Sequence, residues 1–136
     1  MLFLLAFAAT AYASIVNCGK SPLFTIQTLE LSPPDVIVPG ENVTLTLLYN
    51  SPVTVTDGTV KTAITYSFIP ITPTIAPLCD SVPCPIEPGL HDGSTSYPYP
   101  LGVSGKTTTT ITWADMAAVE LLCIKITLTT KLNSIL

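Results

Sequence analysis

From Asn42 to Tyr49 the chain alternates with a period of two. Val43, Leu45, Leu47 and Tyr49 fall on one side, and Asn42, Thr44 and Thr46 on the other. Such alternation marks a half-buried strand and is incompatible with a helical stripe. It recurs in Val60, Thr62, Ile64, Tyr66 and Phe68, then in Thr107, Thr109, Ile111 and Trp113, and again in Leu122, Ile124, Ile126 and Leu128. Leu23–Leu29 reads as a further strand. No heptad and no internal repeat interrupts this pattern. Twenty-one threonines and thirteen prolines in 136 residues favour strands and turns over helices. The count is six to eight strands at sandwich-like spacing, which predicts an all-β antiparallel two-sheet sandwich in one domain.

The connections are less regular. Asp57-Gly58, between Val53–Thr56 and Thr59–Phe68, is expected to form a two-residue hairpin turn with positive φ. Pro52 suggests an edge or a bulge in the outgoing strand. Eight of the thirteen prolines lie between Pro70 and Pro100, where the alternation fades. A connection that long is expected to gain order from a small disulfide and a short strand around Ser94–Tyr99. Ala114–Val119 reads equally well as a helical turn or a hairpin loop.

Leu2–Ala9 is an unbroken apolar run followed by Ala11-Tyr12-Ala13. This pattern predicts a signal peptide over residues 1–13 and a single domain over 14–136, the alternative being a buried N-terminal segment. Met1 supplies the only positive charge at its start. Four cysteines, Cys18, Cys79, Cys84 and Cys123, form an even set suited to an oxidising compartment. Three pairings are possible. A local Cys79–Cys84 loop is the simplest, and it leaves Cys18 with Cys123. Zinc is disfavoured, because no C-x-x-C pair occurs and His91 is the only histidine. The sequon Asn42-Val43-Thr44 places Asn42 on the polar side of its strand, where a glycan fits.

The net charge is −4, and the chain contains no arginine. Without a basic stripe it is not expected to bind nucleic acid, which depends on neutralising phosphates. Gly105-Lys106-Thr107 resembles the end of a phosphate-binding loop, but Pro100 stands where the first glycine must be, and strand-forming threonines follow. No G-x-S-x-G elbow is present. His91 lies beside Asp92 in the proline-rich stretch, where a solvated loop histidine is expected rather than an oriented base. No catalytic residue, cofactor or metal is predicted. The remaining candidates are the apolar strand faces, which meet either as a solid core or around a cavity for an apolar ligand.

Several motifs, in order, resemble the ML lipid-recognition family, which includes the Niemann–Pick type C sterol carrier, phospholipid-transfer proteins and mite group-two allergens. They are Asn17-Cys18-Gly19, Leu31-Ser32-Pro33-Pro34, Pro39-Gly40-Glu41-Asn42-Val43-Thr44, the Cys79 to Gly89 segment with its Cys84-Pro85-Ile86, Thr110-Ile111-Thr112-Trp113 and Leu121-Leu122-Cys123-Ile124. The resemblance runs from about Asn17 to Thr130. It implies an immunoglobulin-like sandwich splayed around an internal lipid cavity, and it supports the two pairings above. Many members carry a further cysteine pair near Ser32–Val38, where this chain has Pro33, Pro34 and Asp35.

Carried over by position, the resemblance implies a cavity mouth at Phe68, Ile69, Ile71, Tyr99, Leu101 and Val103. Trp113 and Ile124 would line the interior, and Tyr66 joins the ligand contacts from its place on an inward strand face. The expected function is non-enzymatic binding and intermembrane transfer of a lipid, a sterol first, by a monomer in a secreted or endolysosomal setting. Transient membrane contact and a membrane-protein acceptor are the implied partners. The alternatives are a carrier of phosphatidylglycerol or phosphatidylinositol type, and an extracellular recognition module with a solid core.

Overall fold

The computed structural model describes residues 7–32, 36–37, 42–98 and 105–134. Ten strands follow in order: β1 (Phe7–Asn17), β2 (Thr25–Ser32), β3 (Val36–Ile37), β4 (Asn42–Ser51), β5 (Gly58–Tyr66), β6 (Ile69–Pro70), β7 (Thr74–Pro77), β8 (Gly89–Pro98), β9 (Gly105–Asp115) and β10 (Glu120–Ser134). Three of them are two to four residues long, and the other seven build the sandwich. Among the described residues a single 3-10 turn occurs, at Leu78–Asp80. Among the described residues no helix is long and apolar enough to cross a membrane.

Among the described residues all strand pairings are antiparallel. The larger sheet runs β3-β1-β10-β9-β5-β6, with β7 also on β5, and the smaller runs β2-β4-β8. The expected all-β two-sheet sandwich is therefore the observed architecture. Its core lies between the sheets, where Val43, Leu47 and Tyr49 of β4 meet Trp113, Leu122, Ile124 and Ile126 of the facing sheet. These are the residues that the period of two assigns to inner faces.

Two disulfides hold the sandwich, Cys18–Cys123 and Cys79–Cys84, with Cα separations of 5.0 and 5.4 Å. The first ties the end of β1 to β10, where the Cys18 amide also donates to the Cys123 carbonyl at 3.1 Å. The second closes the loop after β7. Both pairings are those expected.

The turns depart from expectation. Asp57-Gly58 makes no hairpin: β5 pairs with β9, β6 and β7, and Val55 instead bridges Ile86. Gly58 does not have positive φ. Glycine is required there because a Cβ would collide with the Ala114 carbonyl of the neighbouring strand. The two-residue turn that does need positive φ is Ser67-Phe68, at 45° and 69°, between Tyr66 and Ile69. Neither residue is the glycine or asparagine such a turn prefers, so the pattern carried no turn signal. Asp115–Val119 forms a hairpin loop, held by Asp115 Oδ1, which accepts from the amides of Ala117 and Val119 at 2.9 Å. The short strand expected at Ser94–Tyr99 is the longer β8, beginning at Gly89.

Candidate functional site: a cavity between the sheets

The two sheets do not close on each other. Between them lies a cavity of about 1000 Å³, at the upper end of the range usual for small-molecule sites. One wall is the inner face of the larger sheet, and the register sorts its residues into rows across β5, β9 and β10. Tyr66, Thr107 and Leu128 form the first row, and Ile64, Thr109 and Ile126 the second. Thr62, Ile111 and Ile124 form the third, and Val60, Trp113 and Leu122 the fourth. Exposure falls from 36% at Tyr66 to 8% at Trp113, so the first row lies at the opening and the fourth at the closed end. The opposite wall is β4 and β8, with Leu45, Leu47 and Tyr49 facing inward.

Gly93 of β8 is the register partner of Leu47. A Cβ built there would meet nothing within 4 Å, and this missing side chain keeps part of the cavity empty. Ile71, Leu90 and Ser94 line the cavity while remaining exposed, and mark its rim. The Cys79–Cys84 loop contributes Val82 and Pro83 to the lining, and Pro85 and Ile86 follow directly after it.

An aromatic cluster closes the deep end. Tyr49 stacks on Phe24 at a centroid distance of 5.3 Å and on His91 at 5.6 Å, and it meets Trp113 edge-on at 5.6 Å. Burial raises the Tyr49 phenol above its ordinary 10.0 by penalising the phenolate. His91 is not the solvated loop residue expected from sequence. It sits half-buried in β8, where the ring stack excludes water from one face. Its Nε2 lies 2.6 Å from the Glu87 carbonyl. A carbonyl only accepts, so Nε2 is the donor in this contact.

Of the nine residues proposed to contact ligand, Tyr66, Ile71, Trp113 and Ile124 line the cavity. Phe68 and Ile69 do not. The turn at Ser67-Phe68 ends the alternation of β5 and carries both residues outward, with Phe68 90% exposed. Tyr99, Leu101 and Val103 lie outside the described residues. Asn42 is exposed at the start of β4. Sequence reasoning missed Gly93, His91 and the β8 side of the cavity, because a strand broken by glycine, histidine and aspartate has no apolar alternation. Among the described residues no cluster of His, Cys, Asp or Glu is arranged to hold a metal ion.

The family model of the ML domain matches residues 13–130. Among solved structures, the chain is similar to a Niemann-Pick type C2 protein from Japanese carpenter ant, with a TM-score of 0.63 and 12% identity over 84% of this chain and 96% of that one. It is also similar to chicken MD-1 complexed with lipid IVa, with a TM-score of 0.60 and 11% identity over 91% of this chain and 98% of that one. At those identities the likeness is one of fold. No curated protein matches the sequence.

Proposed function

Since the chain belongs to the ML-domain family, we propose that it is a non-enzymatic lipid carrier, taking up one lipid between its sheets, a sterol as first choice, and passing it between membranes. The cavity of about 1000 Å³ with its mainly apolar wall is the observation that carries this reading. The lipid IVa complex of chicken MD-1 supports it, as a lipid-loaded example of the same fold. Tyr66, Ile71, Trp113 and Ile124 would touch the ligand.

The mechanism is desolvation. Burying roughly 400 Å² of apolar ligand surface yields about 10 kcal/mol gross, at about 25 cal/mol per Å². Lost ligand freedom offsets much of it. A bilayer offers the lipid comparable burial, so exchange between membrane and protein is close to balanced. A carrier that must also release its cargo needs that balance. Phe68 and Ile69, exposed beside the opening, would touch the membrane during exchange.

The compartment follows from the same reading. The two disulfides fit an extracellular or lumenal site. Removal of residues 1–13 as a signal peptide accords with a family match that begins at residue 13. In the full chain Phe7–Ala13 pair with Leu128–Ser134, whereas a chain cut after Ala13 keeps Ser14–Asn17 against Ile124–Thr127. Asn42 would carry a glycan. N-terminal sequencing and glycosidase treatment of the exported protein test both points.

A phospholipid whose head group stays at the opening is the second reading, favoured by Ser81, His91, Asp92 and Ser94 in the cavity lining. Native mass spectrometry of protein purified from its own cells decides between them. A co-purified sterol supports the first reading and a phospholipid the second. A chain that is always empty, and takes up neither from vesicles, overturns the carrier reading.

A further inference from the structure

The inner wall of the larger sheet carries a feature that holding hydrocarbon does not require. Each of its three outer rows contains one threonine: Thr107 beside Tyr66 and Leu128, Thr109 beside Ile64 and Ile126, and Thr62 beside Ile111. All three are half-buried and line the cavity. Two residues advance a strand by about 7 Å, so the set spans roughly 14 Å from the opening inward, stepping from β9 to β5 at its deep end. Valine has the same branched shape and would complete an apolar wall. A hydroxyl covered there by hydrocarbon without a partner is costly in its place.

Among the described residues none of these three hydroxyls has a hydrogen-bond partner, and none is among the fully buried unpartnered atoms, so each stays reachable from the cavity it lines. The contrast is Thr44, away from the cavity, whose Oγ1 lies 2.8 Å from Ser96 Oγ. The three hydroxyls are therefore open to a bound ligand, with both donor and acceptor capacity unused. A lipid with one polar end that stays at the opening can satisfy Thr107 and leaves Thr109 and Thr62 against hydrocarbon.

We infer that the cavity is matched to a lipid oxygenated at more than one point along its length, with hydroxyl or carbonyl groups spaced along the edge that faces Thr107, Thr109 and Thr62. This rests on the carrier reading and narrows its ligand class. A sterol hydroxylated on its side chain as well as its ring is one such molecule, with its oxygens at opposite ends of a rigid body.

Two matched probe pairs test it on the full mature chain: cholesterol against a side-chain-hydroxylated sterol, and stearate against a mid-chain hydroxystearate. The hydroxylated member is expected to bind roughly tenfold tighter in at least one pair, a difference of about 1.4 kcal/mol. The Thr62→Val/Thr107→Val/Thr109→Val variant is expected to abolish that preference, the two members of the pair then binding within about twofold of each other. The single Thr109→Val variant, a milder change to the sheet, should show the same shift in part. Equal affinities within both pairs overturn the inference and leave the carrier reading standing, and so does a preference that survives all three substitutions. Binding of none of the four probes and of no vesicle lipid removes the carrier reading, and this inference with it.

Discussion

Tyr49 of β4 and His91 of β8 are register partners whose rings stack 5.6 Å apart across the smaller sheet. Phe24 and Trp113 complete the contacts of Tyr49, so one side chain joins both sheets and floors the cavity. Replacing it by alanine is expected to cost about 3–5 kcal/mol, the usual loss for a large buried aromatic. Urea unfolding measures it, and a loss below about 1 kcal/mol would contradict the packing described.

The same phenol makes stability depend on alkaline pH. Its folded-state pKa is raised above the ordinary 10.0 by burial, so the folded chain holds the proton more tightly than the unfolded chain. The contribution is complete below the unfolded value and is lost as pH rises through the folded one. Unfolding free energies measured from about pH 8 to pH 11 should fall at the alkaline end, and less steeply for Tyr49→Phe.

Gly93 should decide occupancy without deciding stability. A Gly93→Phe side chain would project into space where no atom lies within 4 Å. Sterol uptake from vesicles is expected to drop roughly tenfold or more, with the melting temperature nearly unchanged. Uptake equal to that of the parent chain would mean that the ligand sits elsewhere.

Phe68 combines strain with exposure, and its replacement should move two properties in opposite directions. At φ 69° and 90% exposed, the side chain contributes little to the core and its backbone is unfavourable. Phe68→Gly is expected to stabilise the fold by about 1 kcal/mol. Because it removes a large apolar group from beside the opening, vesicle binding in sedimentation assays should weaken roughly tenfold. Stabilisation with unaltered vesicle binding would separate the turn from membrane contact.

The two disulfides should differ in worth, because they close loops with sequence separations of 105 and 5 residues. Loop-closure entropy predicts losses of about 5 kcal/mol for Cys18→Ser/Cys123→Ser and about 2 kcal/mol for Cys79→Ser/Cys84→Ser. Urea midpoints of the two double variants check the order. The smaller loop lines part of the cavity, so its loss should also loosen ligand retention.

Much of this molecule is legible in its residues. Val43, Leu47, Trp113, Ile124 and Ile126 stand at alternate positions in threonine-rich segments, and a strand must put alternate residues on one face. Two sheets with those faces turned inward, and the two cysteine pairs, follow from local rules and the resemblance of the motifs. Tyr66, Trp113 and Ile124 reach the cavity by this alternation, and Ile71 by its position in the resembling motifs. The outward turn of Phe68 was hidden, because Ser67-Phe68 carries none of the residues that signal positive φ. Gly58 misled in the other direction: its need for glycine comes from the Ala114 carbonyl on another strand, which no local pattern reveals.

What sequence by itself determined is which residues face in. Only the tertiary structure decided how far apart the two inward faces stand, and so whether they enclose a core or a cavity. Alternation is set by the geometry of one strand, whereas separation of the sheets depends on contacts between residues distant along the chain. Leu47 and Gly93 on one side, and the rows from Tyr66 to Trp113 on the other, take their meaning from that separation.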